Sequence, residues 1–314
     1  MQFLALVGPT ASGKSHLGIL LAERLNGEIL SADSRQMYRY LNIGTAKPSA
    51  EELQKIPHHF IDILDPPQSY NAGEFGLQAR EKISQLLLQQ KQPILVGGSG
   101  LYVRAVIDGF FDGPGKNTEV REQLEREAKE YGNEAMLEKL RAVDPVSAAT
   151  MTPTRLHRII RALEVFQLTG KPISELHSEQ ESAPPFSVVQ FGLEWNRKEL
   201  YRRINERVEW MLNAGLIKEV EGLLEKGFDK TMNALNTVGY KEVFEYLDGK
   251  ISYDEMKRLI QRNTRHYAKR QLTWFRADKR IVWMPVNEKT NWDRMVDRIV
   301  ETVTHVEKKS QPTN

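Results

Sequence analysis

The chain has 314 residues, enough for one or two domains with a large core. Lys and Arg (44) outnumber Asp and Glu (42) by only two, so bulk charge names no partner and any nucleic-acid surface must come from local clustering. There is no cysteine, which excludes disulfides, thiolate nucleophiles and Cys-ligated zinc and fits a reducing cytoplasm; no apolar stretch reaches the ~20 residues of a membrane span, and the N-terminus lacks the basic region of a signal peptide.

Residues 3–7 (FLALV) are a short apolar run, followed by GPTASGKS at 8–15 and a helical pattern from about 14 to 25. A second run, EILSA at 28–32, ends at Asp33, and a third, FIDIL, covers 60–64. A helical pattern spans about 72–90, and a fourth run, PILV at 93–96, stops at Gly97-Gly98. Short apolar runs alternating with helices predict an α/β fold, a parallel sheet with helices on both faces. Ligands of such sheets bind beyond the carboxyl ends of the strands. Residues 8–15, Asp33 and 97–99 are therefore expected to converge.

After Gly109 the texture changes. FFDGPGKN at 110–117 reads as a loop. From 118 to about 176 the pattern is helical and strongly charged, SAPPFS at 182–187 is a second breaker cluster, and VVQFGL at 188–193 is another strand. These shifts predict a core of residues 1–112 and 188–314 interrupted by an all-helical insertion, 113–187. The polar tail from about 308 is expected to be disordered.

Gly8, Gly13, Lys14 and Ser15 match the P-loop pattern completely. Chance would produce that pattern in about one chain of this length in a hundred. The loop Gly8, Pro9, Thr10, Ala11, Ser12, Gly13, Lys14, Ser15 is read as a cradle whose backbone N–H groups bind phosphate oxygens at a helix N-terminus. Lys14 adds a point charge and Ser15 a Mg²⁺ ligand. The loop alone specifies a diphosphate or a triphosphate, ATP being the simplest reading. An NTPase, however, carries an Asp at the end of a strand to hold Mg²⁺. The strand at 93–96 ends in Gly-Gly-Ser instead, so kinases and other phosphate-handling transferases stay open. Asp62 and Asp65 flank the third run, as metal ligands through water or as turn and cap residues.

Asp33, in SADSRQMY, is placed to accept a proton from a nucleophile or to cap the next helix. Arg207 falls at the edge of the apolar stripe Leu200, Ile204, Val208 and Met211, with Arg203 one turn earlier and farther round. A guanidinium there needs an anion, either a diphosphate or a core carboxylate. In DEMKRLIQRNTRHYAKRQLTWFR, Met256, Ile260, Tyr267 and Trp274 share one face, while Arg258, Arg262, Arg265, Lys269 and Arg276 line up almost opposite. Few acids interrupt that stripe, which either follows a phosphodiester backbone or is a solvated basic face. The insertion adds Arg155, Arg158 and Arg161 at three-residue spacing, with His157. The two basic clusters suggest a groove between core and insertion. Adjacent His58 and His59 face opposite ways on a strand and are not read as a metal pair.

With these residues in view, the chain resembles the tRNA dimethylallyltransferases (tRNA isopentenyltransferases) of bacterial type. The matching stretches are GPTASGKS, SADSRQMYRYLNIGTAKP, ILVGGSGLYVRAVIDG, RALEVFQLTGKPISEL, LYRRINERVEWMLNAGL, VGYKEVFEYLDGKIS and TRHYAKRQLTWFR, in order over nearly the whole chain. The resemblance implies a P-loop kinase-like core and a helical insertion that embraces the tRNA anticodon arm. It implies transfer of a dimethylallyl group from dimethylallyl diphosphate to N6 of the adenosine just 3′ of the anticodon, with Mg²⁺ as cofactor and a monomeric enzyme. Asp33 is then the general base that binds N6. Lys14, Ser15, Ser99 and Arg207 are diphosphate ligands. Asp33, Ser34, Arg35 and Gln36, the 237–242 stretch with Thr237, Gly239, Tyr240 and Lys241, and Arg121, Arg155 and Arg158 are tRNA contacts. Arg262 and Arg265 of the basic stripe join them.

The chain departs from the family at Ser99 and Ser15, where Thr is usual and the hydroxyl survives. Pro153-Thr154 replaces an Asn-Asp pair before the Arg run. Without cysteine it has no C-terminal zinc finger of the eukaryotic kind. The implied chemistry asks for a carboxylate on a poorly nucleophilic amine, cations where diphosphate departs, exclusion of water by a closing insertion, and a base out of its stack. Tyr38 and Tyr102 are stacking candidates or core residues. A kinase of a nucleotide or small metabolite is the alternative.

Overall fold

The computed structural model describes residues 2–109, 113–115, 117–178 and 186–310, with side chains through Val303. Strands β1 (Gln2–Val7), β2 (Gly27–Ala32), β3 (His58–His59), β4 (Gln92–Gly97), β5 (Ser187–Trp195) and β6 (Ile281–Val286) form one sheet, ordered β3-β2-β4-β1-β5-β6. Every pair is parallel. All six residues of β1 are buried, as expected of a central parallel strand covered on both faces. The register sets the carboxyl ends level: Val7 lies opposite Gly97 and Gly192, and Ala32 lies opposite Gly97. The residues that follow, Gly8, Asp33 and Gly98, therefore emerge along one edge, the convergence the sequence implies.

The chain divides into two compact units, Met1–Asp108 with Pro184–Asn314, and Gly109–Ala183. In the first, α1 (Lys14–Arg24), α2 (Ala50–Lys55), α3 (Ala72–Leu88) and α4 (Gly100–Ile107) alternate with strands β1 to β4. The second holds α5 (Thr118–Val143), α6 (Pro145–Ala149), α7 (Leu156–Thr169) and α8 (Ile173–Ser178). The first unit resumes with β5, then α9 (Arg197–Asn213), α10 (Leu216–Glu225), α11 (Tyr240–Leu247), α12 (Tyr253–Arg276), β6 and α13 (Trp292–Ser310). Leu200, Ile204, Val208 and Met211 are the buried stripe of α9, at the 3.6-residue period read from sequence.

The helical unit has a core of its own, in which Leu124, Leu137 and Leu140 of α5 meet Ile159 and Leu163 of α7. The Glu164 carboxylate is buried beneath it. It accepts hydrogen bonds from Arg121 (2.6 Å), Arg161 (3.0 Å) and the Asn117 amide (2.9 Å), and these partners hold its pKa below the usual carboxylate value against burial. Arg155 and Arg158, at the start of α7, are exposed. Arg161 is not part of their free basic face, because Glu164 and the Pro114 carbonyl hold it inward.

Three expectations need correction. The third strand is His58–His59, not 60–64, because Phe60 (φ 67°) and Asp62 (φ 55°) adopt left-handed backbone that no strand continues. β6 escaped notice because Pro285 interrupts IVWMPV. An edge strand tolerates a proline, and β6 is the edge. Helix α13 continues through Ser310, past the point where a disordered tail was expected. Residues 1, 110–112, 116, 179–185 and 311–314, which take in part of each breaker cluster and the end of that tail, lie outside the described residues.

Candidate active site

The Gly-rich turn leaves β1 and enters α1 at Lys14. Gly13 has φ 90°, which favours glycine, and a Cβ there would lie 2.9 Å from the Trp292 ring. Ala11 is also left-handed (φ 62°), a conformation that costs an L-residue roughly 1–2 kcal/mol unless its surroundings hold it. They do. Arg203 stacks its guanidinium on Trp195, 4.4 Å from the ring centroid, and donates Nε–H to the Ala11 carbonyl at 2.9 Å. Trp195 donates Nε1–H to the Ser12 carbonyl at 2.8 Å. Gln271 accepts the Thr10 amide at 2.9 Å and donates to the Gly98 carbonyl at 2.9 Å, so one buried side chain joins α12, the turn and the end of β4.

A cavity of about 480 Å³ opens on this turn. Thr10, Lys14, Ser15, Asp33 and Arg207 all line it. Lys14 is pushed down to about 8, first by burial and then by the charge of Arg207, with Asp33 pulling it back up. Burial likewise lowers Arg207, and again Asp33 opposes. Keeping Lys14 charged here costs about 3 kcal/mol relative to water. Two cations thus share one carboxylate at the cavity wall, an excess of positive charge that an anion completes.

Asp33 accepts N–H bonds at Oδ1 from Arg35 (2.9 Å) and Gln36 (3.4 Å). This turn fixes the carboxylate while Oδ2 keeps no protein hydrogen bond among the described residues. Arg35 is itself anchored on the Asn233 carbonyl at 2.6 Å. Ser34, Arg35, Thr237, Gly239 and Lys241 line the same cavity. Gln36 lines it too, but its amide nitrogen is occupied by the Thr45 and Ala46 carbonyls and its oxygen by Ser31. Ser99 is not in the wall. Its hydroxyl accepts the Ser34 amide at 3.1 Å and bonds the Tyr267 hydroxyl, so it stands one layer behind.

Tyr240 is wholly buried, its hydroxyl bonded to Glu219 at 2.6 Å, so it supports the 42–44 turn rather than facing a ligand. Tyr38 and Tyr102 are buried core residues, not stacking surfaces. The aromatic wall is Tyr267, whose hydroxyl is pushed up to about 12 by burial and then by Asp33, against the Ser99 bond. Asp62 pairs with Lys47 at 2.5 Å and Asp65 with Arg39 at 3.1 Å, and neither lines the cavity. Both are turn residues paired with cations away from the cavity. His59 bonds Glu28 at 2.7 Å and His58 the Ile56 carbonyl at 2.7 Å, so they share no ion. Among the described residues no three His, Cys, Asp or Glu side chains gather as a metal site.

The basic face of α12 is less free than its sequence implies. Glu255 holds Arg258 (2.6 Å) and Glu194 holds Arg276 (3.0 Å), acids three residues and a whole strand away. Arg265 donates to Asn205 at 2.7 Å, whereas Arg262 is exposed and hydrogen-bonds Asn263, with the charge of Glu255 nearby. The buried seam is Met256, Ile260, Ala268, Gln271 and Phe275, so Trp274 points outward. Trp195, Trp292, Tyr267 and Gln271 were not foreseen as site residues. Only Gln271 carried a signal, a polar residue on the core face of an amphipathic helix.

Fold and site define a P-loop core of the parallel α/β class. The model of the IPP transferase family matches residues 36–278, and the chain belongs to that family. It is 47% identical to tRNA dimethylallyltransferase 1 of Pelobacter propionicus, over 92% of this chain and 94% of the relative. A tRNA dimethylallyltransferase of Geobacter sulfurreducens is 46% identical over 90% and 91%. The full-length tRNA isopentenylpyrophosphate transferase of Bacillus halodurans superposes with a TM-score of 0.74 at 40% identity, covering 98% of each chain. A eukaryotic dimethylallyltransferase acting on tRNA gives 0.85 at 26% identity, covering all of this chain and 81% of that one. No described helix is long and apolar enough to cross a membrane.

Proposed function

We propose that the chain transfers a dimethylallyl group from dimethylallyl diphosphate to N6 of the adenosine on the 3′ side of the tRNA anticodon. The relatives' names supply the reaction class, a prenyl transfer to tRNA. The observation that carries the reading is the cavity holding Lys14 and Arg207 against the single carboxylate of Asp33. In the reaction the allylic C–O bond breaks, a C–N6 bond forms, diphosphate departs with the electron pair and one N6 proton leaves. Asp33 Oδ2 takes that proton, and its hydrogen bond beforehand returns electron density to a nitrogen delocalised into the ring. Lys14, Arg207 and the loop amides meet the charge that grows on the leaving diphosphate. Ser15 offers an exposed hydroxyl beside Lys14 and is the residue that would hold Mg²⁺ here. When bound, the ion would neutralise the leaving group.

A kinase is not favoured: β4 ends in Gly97, Gly98 and Ser99 with no carboxylate, and the named relatives are dimethylallyl transferases. The deciding experiment incubates the chain with labelled dimethylallyl diphosphate and unmodified tRNA, then analyses the nucleosides. Label in N6-dimethylallyladenosine is expected; phosphorylation by ATP with no label in RNA would overturn the reading.

RNA contact also has a salt signature. The exposed Arg262 is expected to neutralise a phosphate, so Arg262→Ala should flatten the slope of log K against log salt by about 1. Arg265→Ala, whose guanidinium is engaged by Asn205 and lies over Tyr201, should change the slope less. Filter-binding titrations from low to moderate salt check both, and an unchanged slope in Arg262→Ala removes that contact.

A further inference from the structure

Residues 42–46 form a turn in the wall of the P-loop cavity, which Gly44, Thr45 and Ala46 line. The turn closes on itself: the Ala46 amide donates to the Ile43 carbonyl and the Lys47 amide to the Asn42 carbonyl, both at 3.0 Å. The amides of Asn42, Ile43 and Gly44 find their partner 175 to 177 positions away, in the carboxylate of Glu219 on α10, at 2.9, 2.7 and 3.1 Å. The same carboxylate accepts the hydroxyl of buried Tyr240, the first residue of α11, at 2.6 Å. The Tyr240 ring lies against Gly44, where a Cβ would come within 2.4 Å of it. Three successive N–H groups on one carboxylate make an anion nest whose anion is a side chain, and each bond to a charged acceptor is stronger than its neutral equivalent.

The other side of this turn faces the chemistry. The Thr45 carbonyl accepts Gln36 Nε2 at 3.2 Å and the Arg207 guanidinium at 3.5 Å, and the Ala46 carbonyl accepts Gln36 Nε2 at 3.2 Å. Among the described residues, the Thr45 carbonyl is the one hydrogen-bond acceptor of Arg207. An arginine side chain has many rotamers, and a fixed acceptor selects one of them before an anion arrives. Glu219 is not what seats its own helix, because α10 already buries Leu216, Val220 and Leu223. Its four bonds are all spent on the turn and on the ring that backs it.

We propose that Glu219 is a positioning residue of the diphosphate site: by holding the 42–44 amides it fixes the Thr45 carbonyl and, through it, the Arg207 guanidinium. The proposal rests on the reading of this cavity as a diphosphate site. Glu219 touches no reacting atom, so its effect passes entirely through Arg207.

A double-mutant cycle on the full chain tests it, with inorganic diphosphate as the probe and its Kd measured by calorimetry at pH 7. Glu219→Gln keeps the size of the side chain, but its nitrogen turns a donor toward groups that are themselves donors. It is expected to raise the Kd about tenfold. Tyr240→Phe keeps the ring on Gly44, drops one bond and should raise the Kd about threefold. In an Arg207→Ala background neither substitution should weaken diphosphate binding further. The pH profile gives a second readout. Lys14 titrates at about 8, in part because of Arg207, so Glu219→Gln should move the alkaline limb of kcat/KM for the donor upward, and should not move it further once Arg207 is gone. Additive losses in the Arg207→Ala background overturn the proposal. So does a wild-type Kd in Glu219→Gln alongside a lowered Tm, which would make the acid a brace of the fold alone. If Glu219→Gln fails to fold, Tyr240→Phe carries the same cycle, and additivity there overturns the proposal equally. A wild-type chain that binds diphosphate but transfers no label to RNA overturns the reaction reading while the Kd cycle still decides for or against Glu219. A wild-type chain that binds no diphosphate overturns both.

Discussion

Asp33→Asn is expected to lower kcat for transfer by about 10²–10⁴-fold while RNA affinity stays near wild type. The substitution is informative because of the turn that holds the residue. Oδ1 accepts the Arg35 and Gln36 amides, and an asparagine oxygen accepts the same two bonds, so the loop keeps its shape. What changes is the atom facing the cavity, which becomes a donor and can take no proton. Asp33→Ala would lose the turn as well and should cost RNA affinity in addition. The charge argument sharpens the prediction. Asp33 is the carboxylate that raises both Lys14 and Arg207, and it repels an incoming anion. Below neutral pH, where Lys14 stays protonated regardless, Asp33→Asn should bind dimethylallyl diphosphate at least as tightly as wild type. A loss of kcat with an unchanged or lowered donor KM identifies a proton acceptor rather than a binding group. Single-turnover rates with prebound RNA measure it directly, and near wild-type turnover would refute the general-base assignment.

Much of this site could be read from the chain because it is built from local patterns. Residues 8–15 carry their geometry in their own glycines, and the 3.6-residue stripe of α9 fixes the side of the helix on which Arg207 falls. Asp33 follows from a strand that stops. The features that sequence reading missed depend on residues far apart in the chain. Glu194 and Arg276 meet across 82 positions and neutralise part of a face that looks free in sequence. Gln271 reaches Thr10 across 261 positions, and Trp195 reaches Ser12 across 183. Tyr240 and Tyr38 resemble exposed binding aromatics in sequence, and only tertiary packing decides that they are core. Tyr267 shows the converse. Its place on α12 gave it to the apolar face, yet the wall it forms needs α12 set against the end of β4, a relation no local period encodes.

Lys14 and Arg207 carry the second large effect. Lys14→Ala and Arg207→Ala should each lower kcat/KM for dimethylallyl diphosphate by about 10²–10³-fold, the range seen when a donor aimed at a developing anion is removed. The pH dependence separates their roles. In the free enzyme Lys14 titrates at about 8, far below the ordinary lysine value, because burial and Arg207 disfavour its charge. Bound diphosphate favours the charged form and raises that value. Below about pH 8 the lysine is already protonated, and donor binding is at full strength. As pH rises through 8 the free enzyme loses the proton, so kcat/KM for the donor, which reports free-enzyme groups, falls. Binding measured near pH 9 should therefore take up a proton, visible as a calorimetric enthalpy that changes with the buffer's heat of ionisation. Arg207→Ala removes the second cause of the depression, so its alkaline limb should move to higher pH even as its absolute rate drops. Arg207→Lys keeps the charge and should leave the limb near 8. Lys14→Ala should abolish the limb. A limb that stays at pH 8 in Arg207→Ala, or moves lower, would show that the two cations do not share the leaving group and would remove the physical basis for a diphosphate in this cavity.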